Sequence, residues 1–203
     1  YNSAVMTLEE VLDVMTAGHE EGKQIVRLHT GDPCLYSAIR EQMDALKERN
    51  IPYEVCPGVS SFCGAAAALE AEYTLPGISQ SVVITRMAGR TPVPDKESIA
   101  SFASHQATMV VFLSTGMLRD LSADTPAAVV YKATWPEEKV LRCTVETLEE
   151  TAGRENVTKT ALIVVGRILG DGYERSRLYD PSFATEFRRA SHPKAPVSGQ
   201  NDD

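Results

Sequence analysis

The chain has 203 residues, of which 43% are hydrophobic and 24% are charged, and its formal net charge is -8. This length suffices for one large domain or two small domains with real cores. The negative charge argues against general nucleic-acid binding, because no basic field attracts phosphates. No apolar run approaches the roughly 18 residues that a membrane-spanning helix needs, so we expect no membrane partner.

Cysteine and histidine spacing gives no sign of a metal site. The four cysteines contain no C-x-x-C pair, and the four histidines do not follow the spacing of zinc ligands. The start of the chain lacks the charged and apolar pattern of a signal peptide. We therefore expect a reduced, cytoplasmic protein without a structural metal.

The first predicted elements are a helix and a strand. Thr7 and Glu10 form a capping-box pattern ahead of an apolar stripe, which predicts a helix that ends near Gly22. The segment "QIVRLHT" (24–30) is short, partly alternating and rich in β-branched residues, which predicts a strand.

A Gly-Asp-Pro turn follows that strand. Asp32 is a favourable N-cap and Pro33 suits a first helical position, so the pattern predicts a second helix that fades near Asn50. "YEVCPG" (53–58) predicts another strand and the turn that ends it, and "VSSFCGAAAALEA" predicts a third helix. This alternation indicates a parallel α/β sheet, in which ligands bind beyond the carboxyl ends of the strands. The turns "TGDP" and "PGVSS" fall at such ends, although each taken singly is also ordinary strand-to-helix punctuation.

The pattern changes around "YTLPGISQS", where Pro76-Gly77 is a plausible domain boundary. Beyond it we predict strands at 81–86, 107–115, 127–134 and 159–169, a short helix at 116–121 and a helix over 143–153. From about Asp180 the chain becomes polar and contains prolines, which is typical of a loosely ordered tail. The predicted organisation is therefore an N-terminal α/β domain (1–76), a C-terminal α/β domain (77–179) and a polar tail (180–203).

Common catalytic and phosphate-binding motifs are absent from the sequence. It contains no G-x-S-x-G nucleophile elbow, no G-x-x-x-x-G-K-[ST] loop and no G-x-G-x-x-G fingerprint. We therefore assign no catalytic residue, and the predicted chemistry does not depend on an activated nucleophile.

Three long segments together resemble the tetrapyrrole methyltransferases of corrin biosynthesis. They are "HTGDPCLYSAIREQMDALKERNIPYEVCPGVSSF", "EYTLPGISQSVVITRMAGRTPVPDKES" and "TALIVVGRIL". "GDPCLY" and "PGVSS" mark the superfamily, whereas "YTLPGISQ" with "TRMAGRTPVP" points to members that methylate C11 of precorrin-4 or cobalt-precorrin-4. The resemblance covers roughly residues 1–179. It implies two α/β domains with S-adenosylmethionine in the cleft between them, in a homodimer.

The resemblance also implies which residues bind the cofactor, mostly through their backbone. They are Thr30, Gly31, Asp32, Leu35, Ser60, Ser61, Met117, Ala133, Ala161 and Leu162. Asp32 is expected to fix its turn rather than transfer a proton.

An anionic tetrapyrrole carries several carboxylates, so nearby basic residues are substrate-binding candidates. These candidates are Arg86, Arg90 and Lys96, each of which is about as easily a solvated loop charge. Tyr36 either borders the substrate or packs the start of its helix.

Members of the family open with a strand and a G-x-G-P-G-D-P loop that nothing in this sequence matches. The chain begins at what corresponds to the second helix, so the first domain is expected to lack its first strand. Two alternatives stay open at this point: a sister enzyme that methylates another ring position, and a non-catalytic ligand-binding remnant.

Overall fold

The computed structural model describes residues 1–87, 92–112 and 122–191. The chain forms two compact units, Tyr1–Ala67 and Ala68–Asp203. The sequence-based boundary at Pro76-Gly77 lies further along the chain, inside the second unit.

The first unit is built on two helices that share an apolar core. Helix α1 spans Leu8–Glu20 and α2 spans Ile39–Glu48. Leu12 and Met15 of α1 pack with Leu46 of α2 and with Ile51, which follows it. Leu12 and Met15 belong to the apolar stripe of the first predicted helix, and both are buried in this core.

The N-terminus of α1 confirms the predicted capping box. The Thr7 hydroxyl accepts a hydrogen bond from the Glu10 backbone N–H at 3.2 Å, and the Glu10 carboxylate accepts one from the Thr7 N–H at 2.7 Å. We expect Thr7→Ala to lower the free energy of unfolding by about 1 kcal/mol, because a helix N–H loses its acceptor. Thermal denaturation measures this loss, and Thr7→Ser, which keeps the hydroxyl, is the control. Equal stability of the alanine and serine variants would contradict this role of the cap.

Helix α2 begins later than predicted. Asp32 and Pro33 lie in a turn rather than at a helix start, and the helix opens only at Ile39. Tyr36 (φ 55°) and Ala38 (φ 48°) both adopt the left-handed backbone region, which a right-handed helix cannot contain. The third predicted helix is confirmed as α3, Ser61–Leu69.

The two strands predicted for the first unit are wrong. Residues 24–30 and 53–58 form no ladder, and the described residues of this unit contain no β-strand. Val26 and Leu28 are 71% and 79% exposed. β-branched composition favours a pleated backbone only where a neighbouring strand covers it, and that partner is not visible in the sequence of the segment itself.

The second unit carries a five-stranded sheet. Its strands are β1 (Val82–Arg86), β2 (Thr108–Phe112), β3 (Pro126–Tyr131), β4 (Lys139–Thr144) and β5 (Ala161–Val165). They lie in the order β1-β2-β5-β3-β4, with β1 and β2 parallel and the other pairs antiparallel. The mixed α/β class is confirmed: the strands predicted for the second unit form a sheet, whereas the described residues of the first unit contain no strand.

The sequence analysis did not predict one strand and one short helix of the second unit. Strand β4 is only half-buried, so it lacks an apolar signal, and the first residues of the helix predicted over 143–153 belong to it. The helix itself, α5, spans Leu148–Arg154. Helix α4 (Ile99–Ala103) is short and was also missed.

Strand β5 forms the centre of the sheet and of the core. Ile163 pairs with Val111 of β2 and Val129 of β3, and all three side chains are fully buried. Continuous apolar runs such as "ALIVV" are typical of strands that are covered on both faces, which explains why this strand was predicted correctly.

The described part of the predicted polar tail contains a set of hydrogen bonds from one arginine. One guanidinium nitrogen of Arg188 donates to the carbonyl oxygens of Leu178 at 2.8 Å, Asp180 at 2.9 Å and Phe183 at 3.3 Å. One side chain therefore binds three backbone carbonyl groups of this segment, an interaction that composition does not reveal. Among the described residues, no helix is long and apolar enough to cross a membrane.

Candidate functional site

Two turns of the first unit lie against each other, and both belong to the predicted cofactor site. Gly31 has a φ of 74°, and a Cβ on it would lie 3.4 Å from the Ser60 Cα and 3.6 Å from the Ser61 N. A Cβ on Gly58 would overlap the Gly31 carbonyl oxygen and come within 3.3 Å of the Asp32 Cα. The close approach therefore requires glycine at position 58, whereas at position 31 the positive φ favours glycine.

Asp32 connects the same two turns. Its Oδ1 accepts a hydrogen bond from the Cys34 backbone N–H, and its Oδ2 accepts one from the Gly58 N–H, both at 2.8 Å. Hydrogen bonds from the Cys34 thiol, the Cys34 N–H and the Gly58 N–H hold the pKa of Asp32 below its usual value. The same bond to Asp32 raises the pKa of the Cys34 thiol, so this exposed cysteine is a poor thiolate source.

The depressed pKa of Asp32 has a consequence for pH. Because the folded-state pKa is lowered, the stabilisation from this carboxylate is present above the ordinary pKa of 3.8 and is lost as pH falls through the lower folded-state pKa. We expect the Gly58 amide resonance to titrate with a midpoint below 3.8, the ordinary value for the group. A midpoint at or above that value, measured by NMR, would contradict the bonding described here.

The remaining predicted residues of the first unit surround these turns. Ser60 is 7% exposed and precedes α3, and its carbonyl accepts the Cys63 N–H at 3.0 Å. Thr30 and Ser61 are exposed, whereas Leu35 is half-buried and donates its N–H to the Asp32 carbonyl at 3.3 Å. Tyr36 is 46% exposed in its left-handed conformation just ahead of α2.

Three predicted residues of the second unit, Ala133, Ala161 and Leu162, lie at the end of the sheet where β3 ends and β5 begins. Antiparallel pairing places Tyr131, the last residue of β3, opposite Ala161, the first residue of β5. The Lys132 N–H then donates to the Thr160 carbonyl at 2.9 Å, so Ala133 directly follows a residue that is bonded to the start of β5. Ala133 and Ala161 are half-buried, whereas the side chain of Leu162 is 5% exposed.

Strands β1 and β2 end at the same end of the sheet. Arg86 pairs with Phe112, and Phe112 pairs with Leu162. The Arg86 guanidinium donates to the carbonyls of Met87 at 3.3 Å and Pro92 at 3.2 Å, so it supports the backbone on both sides of its loop. Lys96 is exposed in a short 3-10 turn, Asp95–Glu97. The predicted residues Arg90 and Met117 lie outside the described residues.

The turn after β3 also carries aromatic and charged side chains that the sequence analysis did not assign to the site. The Lys132 ammonium lies 5.5 Å from the centre of the Tyr131 ring and 5.2 Å from that of Trp135. Trp135 is 51% exposed. The sequence signal was the pairing of a basic residue with flanking aromatics in "YKATW", which is typical of cation–π contacts.

Other features of the described residues do not add to the site. A cavity of about 760 Å³ in the first unit is lined by residues between Tyr1 and Leu28, and it contains none of the predicted site residues. Within the part of the chain that the structure describes, no group of three or more His, Cys, Asp or Glu residues is arranged to hold a metal ion.

Comparison with known proteins shows to which protein family the chain belongs. Residues 1–149 match the family model described as Tetrapyrrole (Corrin/Porphyrin) Methylases. This match spans more than half of the chain, and the chain therefore belongs to the tetrapyrrole methylases.

Two relatives with high sequence identity indicate which group within the family this chain is similar to. The cobalt-precorrin-4 C(11)-methyltransferase of Methanocaldococcus jannaschii is 47% identical over 204 residues, which cover 96% of this chain and 78% of the relative. A solved structure of a cobalt precorrin-4 methyltransferase is similar with a TM-score of 0.80 and 43% identity, over 84% of this chain and 75% of that chain.

A more distant solved structure shares the fold alone. It is the uroporphyrin-III C-methyl transferase from Thermus thermophilus complexed with S-adenyl homocysteine, with a TM-score of 0.65 and 24% identity, over 79% of this chain and 74% of that chain.

Proposed function

We propose that this protein transfers a methyl group from S-adenosylmethionine to C11 of cobalt-precorrin-4 in cobalamin biosynthesis. Its membership of the tetrapyrrole methylases supports the reaction class. The ring position and the cobalt are supported by the relative at 47% identity and the structure at 43% identity, which are both named for cobalt-precorrin-4.

The paired turns of the first unit are the observation that carries this proposal. Gly31 and Gly58 bring two backbone segments into contact, and the exposed Thr30 and Ser61 add hydroxyls beside them. Small residues and accessible backbone groups suit a polar cofactor that is recognised through main-chain contacts. The residues present therefore fit the methionine part of S-adenosylmethionine.

We propose that residues at the end of the sheet in the second unit, where β5 begins, also belong to the cofactor-binding residues. Ala133 and Ala161 have small side chains. Ala161 is the first residue of β5, and Ala133 lies in the turn that follows β3. This end of the sheet offers main-chain groups and a flat apolar surface, which suits an adenine ring.

The reaction needs little acid–base chemistry from the protein. S-adenosylmethionine supplies an activated methyl group, which passes to an electron-rich ring carbon as the cofactor becomes S-adenosylhomocysteine. Positioning and exclusion of water then account for catalysis, with effective molarities of about 10⁵ M or more in well-oriented systems. This requirement agrees with a site in which Asp32 has both oxygens occupied by backbone donors.

We place the substrate carboxylates near the basic residues Arg86, Arg90 and Lys96, with Tyr36 beside the ring. Arg86 supports the proposal by its position at the end of β1, at the same end of the sheet as Ala161 and Ala133. The resemblance to the family further supports a homodimer and a cytoplasmic location, and we propose both.

Calorimetric titration with S-adenosylhomocysteine tests the cofactor assignment. We expect one site per chain, with adenosine binding more weakly because it lacks the homocysteine part. Ala133→Trp is expected to weaken binding at least about tenfold by filling the space beside β5. Absence of binding by the wild-type protein would exclude the proposed function.

A further inference from the structure

The Gly-Asp-Pro and Pro-Gly-Val-Ser turns lie 26 residues apart in sequence, yet one carboxylate bonds to both of them. We propose that Asp32 is a positioning residue that sets the spacing between these two cofactor-binding turns, and thereby the affinity for the cofactor. This inference rests on the proposed function, because the turns are assigned to the cofactor there.

The two carboxylate oxygens of Asp32 bond to different turns. Oδ1 accepts the Cys34 N–H and so closes the first turn, whereas Oδ2 accepts the Gly58 N–H and so attaches the second turn. An ionised carboxylate accepts several hydrogen bonds at once and donates none, which matches two converging N–H groups. A side chain with only one acceptor oxygen cannot serve both.

The close approach at Gly58 and the bond from Gly58 to Asp32 together fix the distance between the two turns. With no Cβ at Gly58, its backbone rests against the Gly31 carbonyl, while the bond to Asp32 prevents the two segments from separating. Gly31 is in the left-handed region at a φ of 74°, and Tyr36 and Ala38 follow at 55° and 48°. A segment with three residues in this region needs fixed contacts to keep its conformation, and Asp32 provides two of them.

The same pattern argues against a role for Asp32 in proton transfer. Each carboxylate oxygen accepts a backbone N–H from a different turn, an arrangement that holds the two turns together and favours a positioning role over proton transfer. A positioning residue and a proton acceptor predict different kinetics, which makes the inference testable.

Asp32→Asn is the most informative variant, because it keeps the shape of the side chain. One amide oxygen still accepts a hydrogen bond, but the amide NH₂ group then faces a backbone donor. We expect the dissociation constant for S-adenosylhomocysteine to rise about tenfold or more, since small displacements of positioning groups cost up to about 10²-fold. Asp32→Ala loses both bonds and is expected to bind more weakly still.

Asp44→Asn is the matched control. Asp44 lies on α2 in the same unit, and it pairs with Arg40 at 2.8 Å on the exposed surface. Exposed pairs of this kind contribute little, so cofactor binding and hydrogen exchange are expected to match the wild-type protein.

Two readouts separate positioning from other roles. In the absence of cofactor, the Gly58 amide is expected to exchange with solvent about tenfold faster in Asp32→Ala, measured by NMR, because this variant has no side-chain acceptor for it. In turnover, KM for S-adenosylmethionine is expected to rise while the shape of the pH profile stays unchanged. A proton acceptor would instead lower kcat and remove one limb of that profile.

The outcomes distinguish this inference from the proposed function. If the wild-type protein binds S-adenosylhomocysteine but Asp32→Asn binds it equally well, the inference is overturned and the function stands. If Gly58 exchange is unchanged in Asp32→Ala, which has no acceptor oxygen, the link between the turns is also refuted. If the wild-type protein itself fails to bind, the proposed function fails, and the assignment of these turns to the cofactor falls with it.

Discussion

Gly58→Ala raises the dissociation constant for S-adenosylhomocysteine by about ten- to a hundredfold in our account. The added Cβ would overlap the Gly31 carbonyl oxygen and approach the Asp32 Cα within 3.3 Å. These neighbours are backbone atoms, so relief requires the two turns to separate. Forced overlaps of this kind cost about 1–3 kcal/mol, and 1.4 kcal/mol corresponds to a tenfold change in affinity.

Gly153→Ala provides the control for this variant. Gly153 lies in α5, and a Cβ there meets nothing within 4 Å. Alanine is the better helix former by up to about 1 kcal/mol, so this variant is expected to match or exceed wild-type stability and to bind normally. Calorimetry and thermal denaturation of both variants measure the contrast. Normal binding by Gly58→Ala would show that the close approach of the turns is not needed by the cofactor.

Ile163→Ala should lower the free energy of unfolding by about 2–5 kcal/mol. Ile163 is fully buried on the central strand β5, between Val111 and Val129. Removing its side chain leaves a cavity in a sheet whose two neighbouring strands cannot collapse without losing their pairing with β5. The same sheet positions Ala161 and Ala133, so cofactor binding is expected to weaken as well.

Ile163→Val calibrates that loss. It removes one methyl group and is expected to cost about 0.5–1.5 kcal/mol. Urea denaturation, followed by a signal from the single tryptophan, Trp135, measures both variants in the second unit. Equal stability of the alanine and valine variants would indicate that β5 is not the packed centre of this sheet.

The sequence predicted features that depend on local pattern. The Thr7 cap needs only residues within one turn of helix, and "ALIVV" needs only its own apolar run to be identified as a buried strand. Both were confirmed. The family was also identified correctly, because "GDPCLY" and "PGVSS" were considered together with the segments that follow them.

Features that depend on distant partners were predicted poorly. The strands expected at 24–30 and 53–58 did not form, since a ladder requires a neighbour that composition does not encode. Asp32 was expected to cap a helix, but it bonds instead to Gly58, far away in sequence. A capping residue and a residue that bridges two turns look identical in one dimension.

The predicted cofactor residues also depend on partners that are distant in sequence. Resemblance to the family named Ala133 and Ala161 without a geometric reason, and the pairing of β3 with β5 brings them to one end of the sheet. Their contact with a cofactor stays a prediction, as does that of Thr30, Ser60 and Ser61. Gly58 was not named as a cofactor residue, although its place in "CPGVSS" was the available signal.

The most direct test of the proposed function is the position of the transferred methyl group. The protein is incubated with cobalt-precorrin-4 and S-adenosylmethionine that carries a ¹³C-labelled methyl group, and the product is analysed by mass spectrometry and NMR. We predict a single added methyl group whose ¹³C signal correlates with C11 of the ring. A label at any other ring carbon, or binding of the cofactor without transfer when the enzyme of Methanocaldococcus jannaschii is active under the same conditions, would contradict the account.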